Sequence, residues 1–386
     1  MKKPIPYGKQ FIDKYDQKSV LSSLNNDLIT TGPLVKQFEN QLSKYLKSKF
    51  TYVCSSGTAA IHLAMMSIDL KKNDIILMPA INFIASYNLA INMQLKIYLI
   101  DVDQYTGQIT PETVLKCIKK NNLKKIKALI VMYHGGYPQN SKGFQDLKKK
   151  YNFSIIEDAC HALGAEYKYQ GKLYKIGSCK HSDISTFSLH PVKTITTGEG
   201  GIITTNNVKI SNNIRLLRSH GILRSKKNYW QYDVLKHGFN YRLSDINCAL
   251  GISQLKKIDF FLKKRKNLYN KYKKYLENFN DNLSIPKYSN DIKSSYHLFL
   301  INILFENFNK NKDHFLKYLN KNNILGQYHY IPIYKFSSYK GKIFNYPNSE
   351  KYYSNTISIP IHVALTYTEQ IKIIKTIKQY LKKYSK

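Results

Sequence analysis

Between residues 50 and 205 the chain alternates short apolar runs with stretches of helical spacing, and that alternation leaves few folds open. Runs over 50–54, 74–78, 96–101, 127–133, 155–158, 182–188 and 201–205 have the length and apolar character of buried strands. Helical patterns fill the gaps, from 55 to about 68, through 91, over 112–120 and over 144–151. Strands separated by helices of this length pair mostly in parallel, with helices covering both faces of one sheet. Ligands of such sheets bind beyond the carboxyl ends of the strands. Ser56, Gly57, Phe83, His134 and Asp158 all end or follow predicted strands, so one cleft is expected to collect them.

The segment 155–201 concentrates the chemistry. Its first apolar run ends in an acid, Asp158. Its last third reads Ser188-Leu189-His190-Pro191-Val192-Lys193 and then Thr196-Thr197-Gly198-Glu199-Gly200-Gly201. A carboxylate at one buried strand end and a lysine at another meet the needs of pyridoxal 5′-phosphate. The lysine bonds to the cofactor aldehyde, and the acid keeps the pyridine nitrogen protonated so that the ring accepts electrons. Burial between an apolar strand and a Thr/Gly turn would lower the pKa of Lys193 and leave a neutral, nucleophilic amine. Ser55-Ser56-Gly57-Thr58 opens a helix whose first N–H groups form an anion site. Each residue alone has a plainer reading: a surface lysine, a strand-end cap, a core aromatic at Phe83, a Ser/Thr helix cap. Their combination favours a cofactor site.

Composition narrows the rest. A chain of 386 residues with 43% apolar content suits two packed units, expected at 1–250 and 251–386. The second is smaller and α+β, with a strand over 297–304, a helix over 314–321 and a closing amphipathic helix over 369–383. One long helix is expected from 246 through 255 and on to 275. Residues 5–33 form an arm with helical spacing at Val20, Leu21 and Leu24, a break at Thr31-Gly32-Pro33 and an exposed start able to lie across a partner.

No apolar run is long enough to span a bilayer, and the first residues lack the apolar stretch of a signal peptide. Five cysteines without CxxC spacing suggest neither disulfides nor zinc, and no HExxH spacing suggests another metal. A reduced, cytoplasmic protein is expected. The net charge of +35 would suit a polyanion partner, but it is almost all lysine, with arginine only at 215, 218, 224, 242 and 265. Lysines spread over surface helices point to composition and not to nucleic-acid binding.

PYGKQ and TTGP near the start, SSGTAAIHLA, PAINFIAS, EDACHALGA, SLHPVKTITTGEGG, GFNYRLSDINCALG and the late HYIPIY together carry a resemblance that covers nearly the whole chain. The sequence resembles the DegT/DnrJ/EryC1/StrS sugar aminotransferases, pyridoxal phosphate enzymes of fold type I. Within that family, HPVK and the PYG arm look most like the transaminases of the pseudaminic acid pathway.

The resemblance implies an α/β fold with a large, mostly parallel sheet and a smaller C-terminal α+β unit. It implies that Lys193 holds the cofactor and then acts as the base of the proton shift. Asp158 would pair with the pyridinium nitrogen, Phe83 would stack on the ring with His161 beside it, and Gly57, Thr58 and Ser188 would hold the phosphate. Asn240 would reach in from a second subunit, making a homodimer with shared sites, although a turn residue after Gly238 is the simpler reading of that asparagine. His329, Tyr330, Tyr7 and Thr31 would contact a nucleotide-sugar substrate. The implied reaction moves an amino group from glutamate to C4 of a UDP-linked 4-keto-6-deoxy-N-acetylhexosamine. Alternatives are another nucleotide-linked keto sugar, 3-keto or dTDP-linked, or a non-catalytic regulatory or nucleic-acid-binding homologue. The chain departs from many relatives at Leu189, at Thr194 and over Tyr133-His134-Gly135-Gly136, which bears on the sugar more than on the reaction. Some relatives carry histidine for the lysine and act as dehydratases, so the presence of Lys193 favours transamination.

Overall fold

The computed structural model describes residues 3–228, 230–341 and 345–384. An arm carrying α1 (Lys14–Ser23) and α2 (Pro33–Leu46) leads into β1 (Phe50–Cys54) and α3 (Gly57–Ser67). Then follow β2 (Ile75–Pro79), α4 (Ala85–Asn92), β3 (Lys96–Ile100), α5 (Pro111–Lys120), β4 (Ile126–Met132), α6 (Ser141–Tyr151) and β5 (Ser154–Asp158). A hairpin of β6 (Glu166–Tyr169) and β7 (Lys172–Lys175) precedes β8 (Ile184–Ser188), β9 (Gly201–Thr205) and α7 (Val208–Leu217).

Seven of these strands make one sheet in the order β1-β9-β8-β5-β4-β2-β3. β3, β2, β4, β5 and β8 are parallel, and β9 runs against both β8 and β1. The expected mostly parallel sheet is therefore present. Strand periodicity sorts its side chains between two cores. Leu77, Leu129, Val131, Ile155 and Ile202 face one core with Phe38 and Leu42 of α2 and Phe144 of α6. Ile76, Met78, Ile130, Ile156 and Ile203 face the other with Ala60 and Leu63 of α3 and Ile214 of α7.

A second hairpin, β10 (Ile222–Arg224) and β11 (Tyr232–Val234), precedes α8 (Asp245–Leu255) and α9 (Ile258–Leu276). The single helix expected over 246–275 is thus two. The chain leaves helical geometry at Lys257, whose ammonium is held by Asp13 at 2.7 Å and Asp16 at 2.6 Å. α9 starts in the first core at Ile258 and Phe261 and ends in a third at Leu268, Tyr272 and Leu276. That third core lies on β12 (Leu283–Ser284), β14 (Phe299–Ile303) and β15 (Thr356–Ile359), an antiparallel sheet centred on β14. α10 (Lys312–Lys321) and α12 (Tyr367–Tyr384) cover it. The short β13 (Ile292–Lys293) instead pairs with β6, and α11 (Pro347–Asn355) sends Tyr352 into the first core.

The start of the arm is not free. Ile5 donates to Asn323 O at 2.8 Å and accepts from Leu325 N at 2.9 Å, and Tyr7 O accepts from Ile361 N at 3.1 Å, so this stretch lies on its own chain. Pairings missing from the sequence reading are short and polar. Lys168-Tyr169-Gln170-Gly171-Lys172 shows no strand alternation, and its turn is recognisable only from the positive φ of Gln170 (47°) and Gly171 (74°), the geometry that closes two-residue hairpins.

The arm and α8 are joined by a borrowed cap. Gly32 precedes α2 with no side chain to offer, and the buried Asp245 supplies one, accepting from Gly32 N at 2.7 Å and Leu34 N at 2.9 Å. A Cβ on Gly32 would lie 2.8 Å from that carboxylate. Asp245→Ala is expected to lower the urea midpoint by the equivalent of about 1–2 kcal/mol, because it strands two partly buried donors. Asp245→Asn, which keeps one acceptor, should lose less; equal midpoints for Asp245→Ala and the parent would refute the cap.

Candidate active site

Because β1, β2, β4, β5 and β8 share a direction, Cys54, Pro79, Met132, Asp158 and Ser188 end along one edge of the sheet. Beyond that edge lies a cavity of about 340 Å³. Tyr7, Gly57, Thr58, Phe83, Asp158, His161, Ser188, Lys193, His329 and Tyr330 all line it. Thr31 and Asn240 do not. Thr31 lies on a separate groove with Glu39 and Arg218. Asn240 is exposed and bridges to Ser219.

One wall is the start of α3. Ser56 Oγ caps it by accepting from Ala59 N at 3.0 Å, which leaves the earlier amides of Gly57 and Thr58 without helical acceptors. A Cβ on Gly57 would sit 2.8 Å from Ser188 Cβ, so only glycine lets the helix start reach the end of β8. The arrangement suits an anion at this end of the cleft.

The floor carries the acid and the lysine. Asp158 is buried, its Oδ1 accepts from Cys160 N at 3.3 Å, and among the described residues no cation lies within ion-pair distance of it. Burial raises its pKa, opposed by Cys160 and by the charge of Lys193. Such a carboxylate is in want of a protonated partner. Lys193 follows a turn closed by its own N–H to His190 O at 2.9 Å, and burial lowers its pKa, against the pull of Cys160 and Asp158. The side walls thus favour the free amine. Phe83, 52% exposed, presents its ring over the opening, 5.8 Å from that of Tyr330.

The far wall carries the neutral histidines His161, His297 and His329; His134, expected in the cleft, does not line it and is buried behind that wall. Gly135 N donates to His161 Nδ1 at 3.3 Å, so the His161 proton sits on Nε2, 3.0 Å from Tyr330 Oη. His297 lies against the same ring at a centroid distance of 4.2 Å. Tyr352 donates to His329 O at 2.7 Å and so receives the Nε2 proton of His134 at 2.8 Å, which leaves His134 Nδ1 bare and unpartnered. His329 Nδ1 meets Ser358 Oγ at 2.7 Å. Burial, then the charge of Lys193, pushes His134 down to about 3. Burial likewise holds His161, His297 and His329 well below the usual imidazole range. Four cationic rings around one lysine would repel each other and it; neutral ones give donors and acceptors at no such cost.

Sequence reasoning missed Tyr352 and His297, which come from elements distant in the chain and carry no local motif. Cys160 and Glu199 also line the cavity and sit inside the EDACHALGA and TTGEGG stretches, so adjacency to Asp158 and Lys193 could have flagged them. Among the described residues no cluster of His, Cys, Asp or Glu is arranged to hold a metal ion, and no helix is long and apolar enough to cross a membrane.

Known proteins resemble this chain over its full length. The profile of the DegT/DnrJ/EryC1/StrS aminotransferase family matches residues 10–378. A UDP-4-amino-4,6-dideoxy-N-acetyl-β-L-altrosamine transaminase of Campylobacter jejuni is 38% identical over 385 residues, 99% of each chain. Among solved structures, Helicobacter pylori PseC, an aminotransferase involved in pseudaminic acid biosynthesis, superposes with a TM-score of 0.89 at 29% identity, covering 98% of this chain and 100% of its own. Spr1654 of Streptococcus pneumoniae, solved in a PLP form, superposes at 0.88 with 25% identity, covering 98% and 99%. With its sheet, its strand-end lysine and acid and this full-length similarity, the chain belongs to the DegT/DnrJ/EryC1/StrS aminotransferase family and has the fold-type I architecture of its PLP-dependent aminotransferases.

Proposed function

We propose that the cleft holds pyridoxal 5′-phosphate and moves an amino group from glutamate to C4 of a UDP-linked 4-keto-6-deoxy-N-acetylhexosamine, a step of pseudaminic acid biosynthesis. The observation that carries the cofactor part is the unpaired Asp158 carboxylate and the deprotonation-prone Lys193 on one cavity with the α3 start. The substrate part rests on the names of the relatives in C. jejuni and H. pylori.

Residues present fit the cofactor. Asp158 would hold the ring nitrogen, Gly57, Thr58 and Ser188 the phosphate, and Phe83 a ring face, with His161 beside it. Bound there, the cofactor supplies the electron sink for the carbon that gives up a proton. Lys193 Nζ, whose ammonium burial disfavours, would accept that proton in its free-amine form and return it. Tyr330, its hydroxyl aligned by the neutral Nε2–H of His161, and Tyr7 and His329, with ring centroids 5.2 Å apart, would face the sugar nucleotide. Thr31, outside this cleft, would act in a neighbouring subunit's site.

Asn240 would do the same, in a homodimer. Its exposure fits that role, as does the exposure of Leu24, Leu28 and Ile29 on the arm and of Tyr232, Val234 and Leu235 on the β10–β11 hairpin.

Purified protein is expected to carry a visible absorption band that borohydride abolishes. Lys193→Ala should lose it, and turnover should fall by about 10²–10⁴-fold or more. A colourless parent that gains no band with added cofactor would defeat the cofactor reading. Asp158→Asn should reduce turnover roughly 10- to 100-fold, the loss of one charged hydrogen bond worth about 1.5–3 kcal/mol. Incubation with glutamate and a panel of nucleotide-linked keto sugars, followed by NMR placement of the new amine, tests the sugar; amination at C3, or of dTDP sugars alone, would replace the proposed substrate. Mixing Lys193→Ala and Asn240→Ala subunits tests the shared site. Mixed dimers regain activity at one of two sites if Asn240 acts across the interface, and none if it acts within its own chain.

A further inference from the structure

Arg265, on α9, is 1% exposed, and among the described residues it has no carboxylate within ion-pair distance. Its guanidinium bonds only to main-chain oxygens: NH1 to Ile361 O at 3.0 Å and to Tyr296 O and His297 O at 3.3 Å, NH2 to Val192 O at 3.4 Å. Its Nε is buried without a partner. A lone buried cation is costly, and for stability alone an apolar side chain on α9 would serve better. Burial brings its pKa down only to about 10, so it stays charged at neutral pH.

What it grips is informative. Val192 O belongs to the peptide unit whose N–H is that of Lys193, and that N–H donates to His190 O at 2.9 Å. The Val192–Lys193 peptide is therefore held at both ends, and with it the direction in which the Lys193 side chain leaves the backbone. The same guanidinium holds the carbonyl of His297, whose ring lies on His161, and that of Ile361, whose N–H binds Tyr7 O. Two segments that line the cleft, and a third that holds Tyr7 in place beside it, meet at this one group.

We propose that Arg265 is a positioning residue for Lys193, fixing the Val192–Lys193 peptide plane and setting an uncompensated positive charge behind the lysine. The proposal rests on Lys193 being the reactive amine. The groups that face Lys193 are Asp158, Cys160, His134, His161, His297, His329 and Arg265. Burial is the main influence on the amine; Asp158 and Cys160 favour its ammonium, the histidines are neutral, and Arg265 is the charge that opposes it. His362, buried beside Arg265 with both ring nitrogens unpartnered, is itself kept neutral, at about 4, by burial and then by that charge. Arg265 thus raises the fraction of Lys193 present as free amine near neutral pH.

The test measures the amine directly. Full-length protein stripped of cofactor is treated with formaldehyde and cyanoborohydride across a pH series, and methylation of the Lys193 peptide is followed by mass spectrometry against the surface lysines of α12. In Arg265→Met, Lys193 methylation at pH 7 is expected to fall about three- to tenfold, the result of a half- to one-unit upward move of its midpoint. Arg265→Lys keeps the charge but cannot span four carbonyls, so its midpoint should stay near that of the parent while kcat drops and KM changes little. If Arg265→Met does not fold, Arg265→Gln, uncharged but able to donate hydrogen bonds, takes its place. A parental midpoint in the folded neutral variant, or parental kcat in Arg265→Lys, overturns the proposal. Absence of a visible band in the parent would instead count against the cofactor reading, since the methylation profile is read without cofactor.

Discussion

Every strand of the large sheet except those at its margins must bury both of its faces, and this requirement organises the molecule. Ile155 and Ile156, adjacent in β5, belong to different cores, as do Leu129 and Ile130 in β4. Two cores need helices on both sides, and helices on both sides need crossovers that bring each strand back in the same direction. The carboxyl ends of five strands then converge on one edge, where Asp158 and Ser188 end their strands and α3 begins. The cleft is a consequence of how the interior is filled.

Its electrostatics follow from the same burial. Each of these titratable groups is buried and so pushed toward its neutral form: Asp158 upward, Lys193 downward, the four histidines below their usual range. Hydrogen bonds then decide where the protons sit. Gly135 N fixes one tautomer of His161, and the Tyr352 bond to His329 O fixes that of His134. Arg265 is the exception, a permanent charge retained in the interior by carbonyl oxygens from three segments. Its position behind the turn that carries Lys193 makes it the link between the packing of α9 and the proposed chemistry.

Much of the fold was legible because periodicity and strand-end punctuation are local signals. The strands from Phe50–Cys54 to Gly201–Thr205 and the helices between them appear close to their expected bounds. The helix expected to continue past residue 255 is broken instead by Lys257, which is drawn to Asp13 and Asp16 from 241 or more residues earlier, a contact that no window along the chain contains. The β6–β7 and β10–β11 hairpins were invisible for a different reason: their strands are three or four residues long and mix aromatics such as Tyr167 with lysines and exposed positions, too short for an alternation to show. In the cleft, Gly57, Thr58, Asp158, Ser188 and Lys193 were readable from motif and chemistry. Tyr352, His297 and Arg265 were not, because their roles depend on which carbonyl or ring they meet.

By itself the sequence determined the layer order, the edge of the sheet at which a ligand would bind, and the residue types able to hold a cofactor there, since all three follow from local apolar periodicity and from short motifs. Only the tertiary structure decided that Thr31 and Asn240 lie outside the cleft of their own chain, that the start of the arm is pinned along the small sheet, and that a buried arginine stands behind Lys193. These are matters of distance between segments far apart in the chain. They are settled by packing and by the need of buried polar groups for partners, wherever in the sequence those partners lie.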